Sequence, residues 1–228
     1  MFHPLAHYLD FANHHADATP ADIETLCQNV MKYGFHAAFV NACYITLAKK
    51  LLGNTAPVGT VVSFPLGGDT IAAKRAAVNE AVQLGAGELD VVPNIGTFLS
   101  GQTAEFEQEL SAIVDSARMA GKPVIVKFIL DPGYFDKLPD KKEKMQAAAR
   151  LIQHAGADFV KIGSGMGPRE PNLEDVNIVR EAVGPTMKIK VAGGVDTIAE
   201  AEAFIAEGVI RIGTSHAIEI VTNSSAVQ

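Results

Sequence analysis

Short apolar runs, each separated from the next by a longer stretch of helical spacing, recur along this chain. They restrict it to a parallel sheet covered by helices, because near-continuous Val, Ile and Phe runs are buried on both faces. The runs are Ala37–Asn41, Gly59–Phe64, Glu88–Val92, Pro123–Leu130, Phe159–Gly163, Lys188–Ala192 and Ile210–Thr214, with Leu9–Ala12 as a shorter eighth. Helix signals fall between them. Thr19-Pro20-Ala21-Asp22 puts a cap residue before a first-turn proline and an acid. Gly85, Gly156 and Gly208 stand just before strands, where a left-handed residue ends a helix. Eight strands close a barrel, whereas five or six leave an open sheet, so the pattern predicts an α/β chain, a (β/α)8 TIM barrel over residues 1–228 as a single domain. Residues 222–228, rich in small polar side chains, read as a disordered tail.

Composition narrows the function. The 228 residues carry a net charge of −7, which argues against a nucleic-acid partner, since phosphate backbones need clustered cations. A local pocket for a small anion remains compatible with that charge. Cys27 and Cys43 form no spaced framework, which reads as reduced thiols and a cytoplasmic location. No secretion leader is expected from Met1-Phe2-His3-Pro4. No membrane span is expected either: the uncharged stretch 51–68 is broken by Gly and Pro and reads as turns around one strand.

In such barrels the site lies at the C-terminal ends of the strands. Three strands hold ionisable residues that a purely structural core rarely contains: Asp90, Lys161 and Lys190. The bland reading is a structural salt bridge inside the barrel. Against it, one acid does not neutralise two lysines. Lys161 and Lys190 fall on successive strands, about 4.8 Å apart, so inward side chains at one height meet. A second ammonium and burial both lower a lysine pKa, and a nucleophilic amine needs its lone pair. Asp90 can then carry protons.

The segments ELDVVPNIG, ADFVKIGSG, KIKVAGG and RIGTS, with FVNACY and SFPLGG upstream, resemble the motifs of deoxyribose-phosphate aldolases, in the family's order, over about residues 9–221. The resemblance implies a class I aldolase on a (β/α)8 barrel. It implies acetaldehyde and a sugar phosphate as small-molecule partners and neither metal nor other cofactor. It implies Lys161 as the Schiff-base lysine, Lys190 as the residue that tunes it, and Asp90 as the proton carrier. Phosphate falls, on this resemblance, to Gly165, Gly193 and Gly194 with the loop Gly213-Thr214-Ser215, and Asp10 joins the substrate-binding set. Glycine turns at helix starts do bind anions, although such glycines also simply turn the chain.

Several positions depart from the family's pattern. Asp196 replaces an arginine, His216 a serine, Lys127 a glutamate, and Phe11-Ala12 follow Asp10 where a hydroxyl or histidine is usual. A carboxylate at Asp196 repels a phosphate unless it points away or pairs with a cation. His216 is read as a phosphate donor or a space filler. Lys127 is read as a replacement positive charge, as a partner of Asp131, or as a residue that reshapes the pocket. These departures keep two alternatives open: a Schiff-base aldolase for a different or unphosphorylated carbonyl compound, and a sugar-binding barrel without catalysis. Bland readings cover the rest. His14-His15 reads as a solvated pair, and no metal motif accompanies it. Lys141–Lys144 reads as an exposed helix start, Cys43 as a small buried hydrophobe, and Lys74 as a surface or interface residue. Assembly stays open, a homodimer included.

Overall fold

The computed structural model describes residues 3–222. In chain order the elements are β1 (Leu9–Asn13), α1 (Pro20–Tyr33), β2 (Ala37–Val40), α2 (Ile45–Leu52), β3 (Val58–Val62) and α3 (Ile71–Leu84). Next come β4 (Glu88–Val91), α4 (Ile95–Leu99), α5 (Thr103–Met119), β5 (Ile125–Leu130), α6 (Lys141–His154) and β6 (Phe159–Ile162). The chain closes with α7 (Leu173–Val183), β7 (Lys188–Ala192), α8 (Ile198–Ala206), β8 (Arg211–Thr214) and α9 (Ala217–Thr222). The eight strands run parallel in sequence order, and β1 pairs with β8 to close the (β/α)8 barrel.

Each expected strand is present, with ends that agree to within two residues and agree fully for Lys188–Ala192. The exception in kind is the tail: Thr222 ends α9, while residues 223–228 lie outside the described residues. The helix signals act as expected. Thr19 accepts from the Asp22 amide at 3.3 Å while Asp22 accepts from the Thr19 amide at 2.8 Å. Gly85, Gly156 and Gly208 take φ of 109°, 82° and 80° beyond α3, α6 and α8, which spares a side-chain-bearing residue a left-handed conformation.

Alternation along the strands divides two cores. Leu89, Val91, Val126, Phe128, Val160, Ile162, Ile189, Val191 and Ile212 are fully buried and belong to the apolar core. Each contributes about 1.5–3 kcal/mol by leaving water. The barrel interior is different, for it holds Asp10, Glu88, Asp90, Lys127, Lys161 and Lys190, all buried. Strand register brings them together: Asp90 lies opposite Lys127, and Lys161 opposite Lys190.

Candidate active site

The cavity of about 310 Å³ at the C-terminal ends of the strands is lined by Asp90, Lys161 and Lys190 at its floor. One wall consists of Ala12, His14, Phe39 and Phe64, and the other of Ser164, Gly165, Gly193, Gly194 and Ser215. The volume lies within the range of small-ligand sites, roughly 300–1,000 Å³.

Lys161 Nζ donates to Asp90 Oδ2 at 2.8 Å, and Lys190 Nζ reaches the same oxygen at 2.9 Å. The other Asp90 oxygen takes Lys127 Nζ at 2.9 Å. Lys190 is also bonded to Asp10 at 2.7 Å, and Lys127 to Glu88 at 2.6 Å. Burial works against the Asp90 carboxylate, but Lys127, Lys161 and Lys190 outweigh it and hold its pKa well below the ordinary value. For Lys161 the balance is the reverse. Burial lowers its pKa, Asp90 opposes, and Lys190 adds to the lowering, so the net shift is downward. A buried amine biased toward its neutral form, at the floor of an open cavity, is equipped to attack a carbonyl carbon.

The interior contains more acids than one carboxylate against two lysines allows for: Asp10 and Glu88 also face inward, and Lys127 with them. Lys127 therefore corrects the expectation that placed it at the pocket or beside Asp131. It is fully buried, does not line the cavity, and pairs with Glu88 and Asp90. Asp131 instead accepts the Ser164 amide at 2.8 Å. Asp10, expected among the substrate-binding residues, is fully buried and does not line the cavity; its carboxylate accepts from Lys190.

Gly165, Gly193, Gly194, Gly213 and Ser215 line the cavity. A Cβ on Gly193 would lie 3.0 Å from the Gly165 Cα, and Gly165, Gly193 and Gly194 all take positive φ, which favours glycine in both loops. Thr214 is occupied within its loop, donating to Val195 O at 2.9 Å and accepting the His216 amide at 2.9 Å. Asp196 lines the cavity and pairs with His216 Nδ1 at 2.9 Å, so these two departures from the family pattern touch each other. At the start of α8, Glu200 accepts the Asp196 and Thr197 amides at 3.0 and 2.9 Å, so those two donors are already taken.

Three bland readings need correction. Lys74 is not a surface residue. Its Nζ is buried and bonds Gly67 O, Val92 O and Glu109, which ties α3 to α5 and to the loops after β3 and β4. Cys43 is exposed. His15 is exposed as expected, but His14 is partly buried and lines the cavity, with its Nδ1 shut off from solvent and without a hydrogen-bond partner among the described residues. Burial, then Lys161, lowers its pKa to about 4. Its place two residues beyond Ala12, at the C-terminal end of β1, was the signal that it belonged with the site.

Among the described residues, Asp10, His36 and Glu88 place their ligand atoms within 4.8 Å of one another. Lys190 already holds Asp10 and Lys127 already holds Glu88, so a divalent ion there would face two ammonium groups.

The family model described as DeoC/LacD family aldolase matches residues 5–213. A deoxyribose-phosphate aldolase of Thermoanaerobacter sp. (strain X514) is 38% identical over 218 residues, which cover 95% of both chains. One from Clostridium novyi (strain NT) is 37% identical, covering 97% of both. Among solved structures, an aldolase called QR15 superposes with a TM-score of 0.89 at 29% identity, covering 97% of this chain and 96% of its own. The deoxyribose phosphate aldolase of Aeropyrum pernix, described as a unique tetramer, gives 0.86 at 26% identity, covering 98% and 92%.

Proposed function

This chain belongs to the DeoC/LacD family of aldolases, and from that premise we propose that it cleaves and forms 2-deoxy-D-ribose 5-phosphate through a Schiff base on Lys161. The observation that carries this reading is the Lys161 amine, its pKa lowered by burial and Lys190, lying 2.8 Å from Asp90 on the cavity floor.

In the cleavage direction the neutral amine adds to the C1 carbonyl carbon, and the carbonyl oxygen takes up a proton to give a carbinolamine. Loss of that oxygen as water leaves an iminium. The iminium draws in the electron pair of the C2–C3 bond, the C3 hydroxyl loses its proton, and the three-carbon aldehyde phosphate departs. The remaining enamine is protonated at C2, and water releases acetaldehyde and the free amine. Asp90, a carboxylate held by three lysines, is too weak a base to store a proton, so it passes each one on to water or substrate. Lys190, joined to Asp10 and Asp90, keeps a second positive group beside the reacting nitrogen.

The phosphate of this substrate fits the loops of Gly165, Gly193, Gly194, Gly213 and Ser215, whose close-set backbone suits an anion. One set of observations favours a second reading, an unphosphorylated substrate: Glu170 and Asp196 line the same end of the cavity, and Glu200 occupies the start of α8. Cleavage of 2-deoxyribose 5-phosphate and of free 2-deoxyribose, each with and without a chelator, separates the two. The first reading expects a strong preference for the phosphorylated sugar, no effect of the chelator, and no turnover in Lys161→Ala. Preference for the free sugar supports the second reading.

We also infer a cytoplasmic location. Cys27 and Cys43 are both unpaired, in keeping with a reducing compartment, and no helix among the described residues is long and apolar enough to cross a membrane.

A further inference from the structure

The two walls of the cavity differ in chemistry. The glycine-loop side is rich in polar backbone and hydroxyl groups. The opposite wall, formed by Ala12, Phe39 and Phe64, is mainly apolar, with His14 and the exposed His15 as its polar side chains. The His14 ring sits 5.6 Å from the Phe64 ring and is tilted by 49° to it. Its Nδ1 makes no hydrogen bond of ordinary geometry among the described residues, and the Asn41 side chain is the polar group that acts on the ring most weakly of its neighbours. A buried nitrogen left unpaired costs free energy, so natural structures seldom keep one without a use. Burial and the nearby Lys161 keep the ring neutral, with its pKa at about 4. A neutral imidazole carries one N–H and one lone pair, and can both donate and accept. Rotation about its terminal torsion is broad and two-fold, so either ring edge can be turned to the cavity.

We propose that His14 is a specificity-determining residue that hydrogen-bonds a hydroxyl group of the acceptor aldehyde, supplying a buried polar contact on a mainly apolar wall. This rests on the aldolase reading of the site. It assigns His14 no part in forming the Schiff base. A hydroxylated acceptor gives the unpaired ring nitrogen a partner, while an acceptor lacking the hydroxyl leaves it unpaired.

The test is condensation of acetaldehyde with two acceptors of similar size, D-glyceraldehyde and propanal, which differ in hydroxyl groups and carry no phosphate. The ratio of their kcat/KM values is the readout. His14→Leu keeps an apolar side chain of comparable bulk and removes both ring nitrogens. It is expected to lower the glyceraldehyde-to-propanal ratio roughly 10- to 100-fold, the usual penalty for losing a site's hydrogen bond to a substrate hydroxyl. His14→Asn restores an amide at the reach of Nδ1 and is expected to keep the ratio within about threefold of wild type; it also carries the test alone if the leucine variant does not fold. A ratio unchanged in His14→Leu, or lowered in His14→Asn as far as in the leucine variant, overturns the proposal. Wild-type protein that condenses neither acceptor tells against the aldolase reading instead, so the two failures are distinct.

Discussion

Lys127 and Lys161 occupy the same barrel interior, are both buried, and bond to the two oxygens of one carboxylate, yet their pKa values are displaced in opposite directions. Burial lowers both. At Lys127, Asp90, Glu88 and Asp10 together outweigh burial and raise it above the ordinary lysine value. At Lys161, Asp90 acts nearly alone, and Lys190 and Lys127 add to the lowering. A buried lysine is thus held as a cation or eased toward its neutral amine according to how many carboxylates share it. Glu88, 2.6 Å from Lys127, makes the difference together with Asp10.

This contrast is open to direct attack. Lys161→Arg should abolish turnover by on the order of 10⁴-fold or more in a steady-state cleavage assay, since a guanidinium stays protonated and forms no imine. Retained turnover would remove Lys161 from the chemistry. Lys127→Met should act on stability instead. It leaves Glu88 and one Asp90 oxygen without their buried cation, at a cost of about 3–5 kcal/mol in urea unfolding. Lys161→Met should cost about 1 kcal/mol or less, because Asp90 keeps Lys127 and Lys190. Equal losses in the two variants would erase the distinction between the lysines.

The same contrast has a signature in pH. Lys161 gives up its proton more readily in the folded protein than in the unfolded chain. In the alkaline range below 10.5 the unfolded chain therefore binds more protons, and this lysine's contribution to stability rises with pH. Lys127 does the opposite, for its stabilisation is complete below 10.5 and is lost as pH climbs beyond it. Urea unfolding followed across pH should show the alkaline rise flattened in Lys161→Met. In parallel, formation of the acetaldehyde adduct should reach its plateau below pH 10.5, with Lys190→Leu moving the midpoint upward and slowing the reaction at neutral pH roughly 10-fold. An unmoved midpoint would mean that Lys190 does not tune Lys161.

The smallest expected effect is at the cavity rim. Asp196→Arg exchanges a carboxylate that lines the cavity for a cation, and should lower KM for the phosphorylated sugar several-fold, on the order of 1 kcal/mol. An unchanged KM places the sugar's phosphate away from Asp196.

Much of this arrangement was legible in the chain. Strand periodicity and the glycines after α3, α6 and α8 gave the barrel, and successive strands put Lys161 opposite Lys190. What escaped was partner choice. Which lysine takes which carboxylate depends on barrel closure, which brings Asp10 of β1 to Lys190 of β7 across 180 residues. Lys74 escaped for a related reason. Its helix position looked solvated, but α5 supplies Glu109 and the loops after β3 and β4 supply two carbonyls to cover its ammonium. The His14-His15 pair looked uniform in sequence because polarity was read without direction: the chain turns after β1, and the two adjacent rings end in different environments. Asp196 and His216 were each legible as departures, but not as partners of one another.

The central claim is that one lysine of this interior, Lys161, is the nucleophile while Lys127 and Lys190 serve as its fixed surroundings. The most direct test is to incubate the protein with acetaldehyde at several pH values, reduce with borohydride, and map the modified peptides by mass spectrometry. The account predicts an ethyl adduct on Lys161 that grows as pH rises, with Lys127 and Lys190 left unmodified. An adduct on Lys190 or Lys127 in its place, or none at any pH, would contradict it.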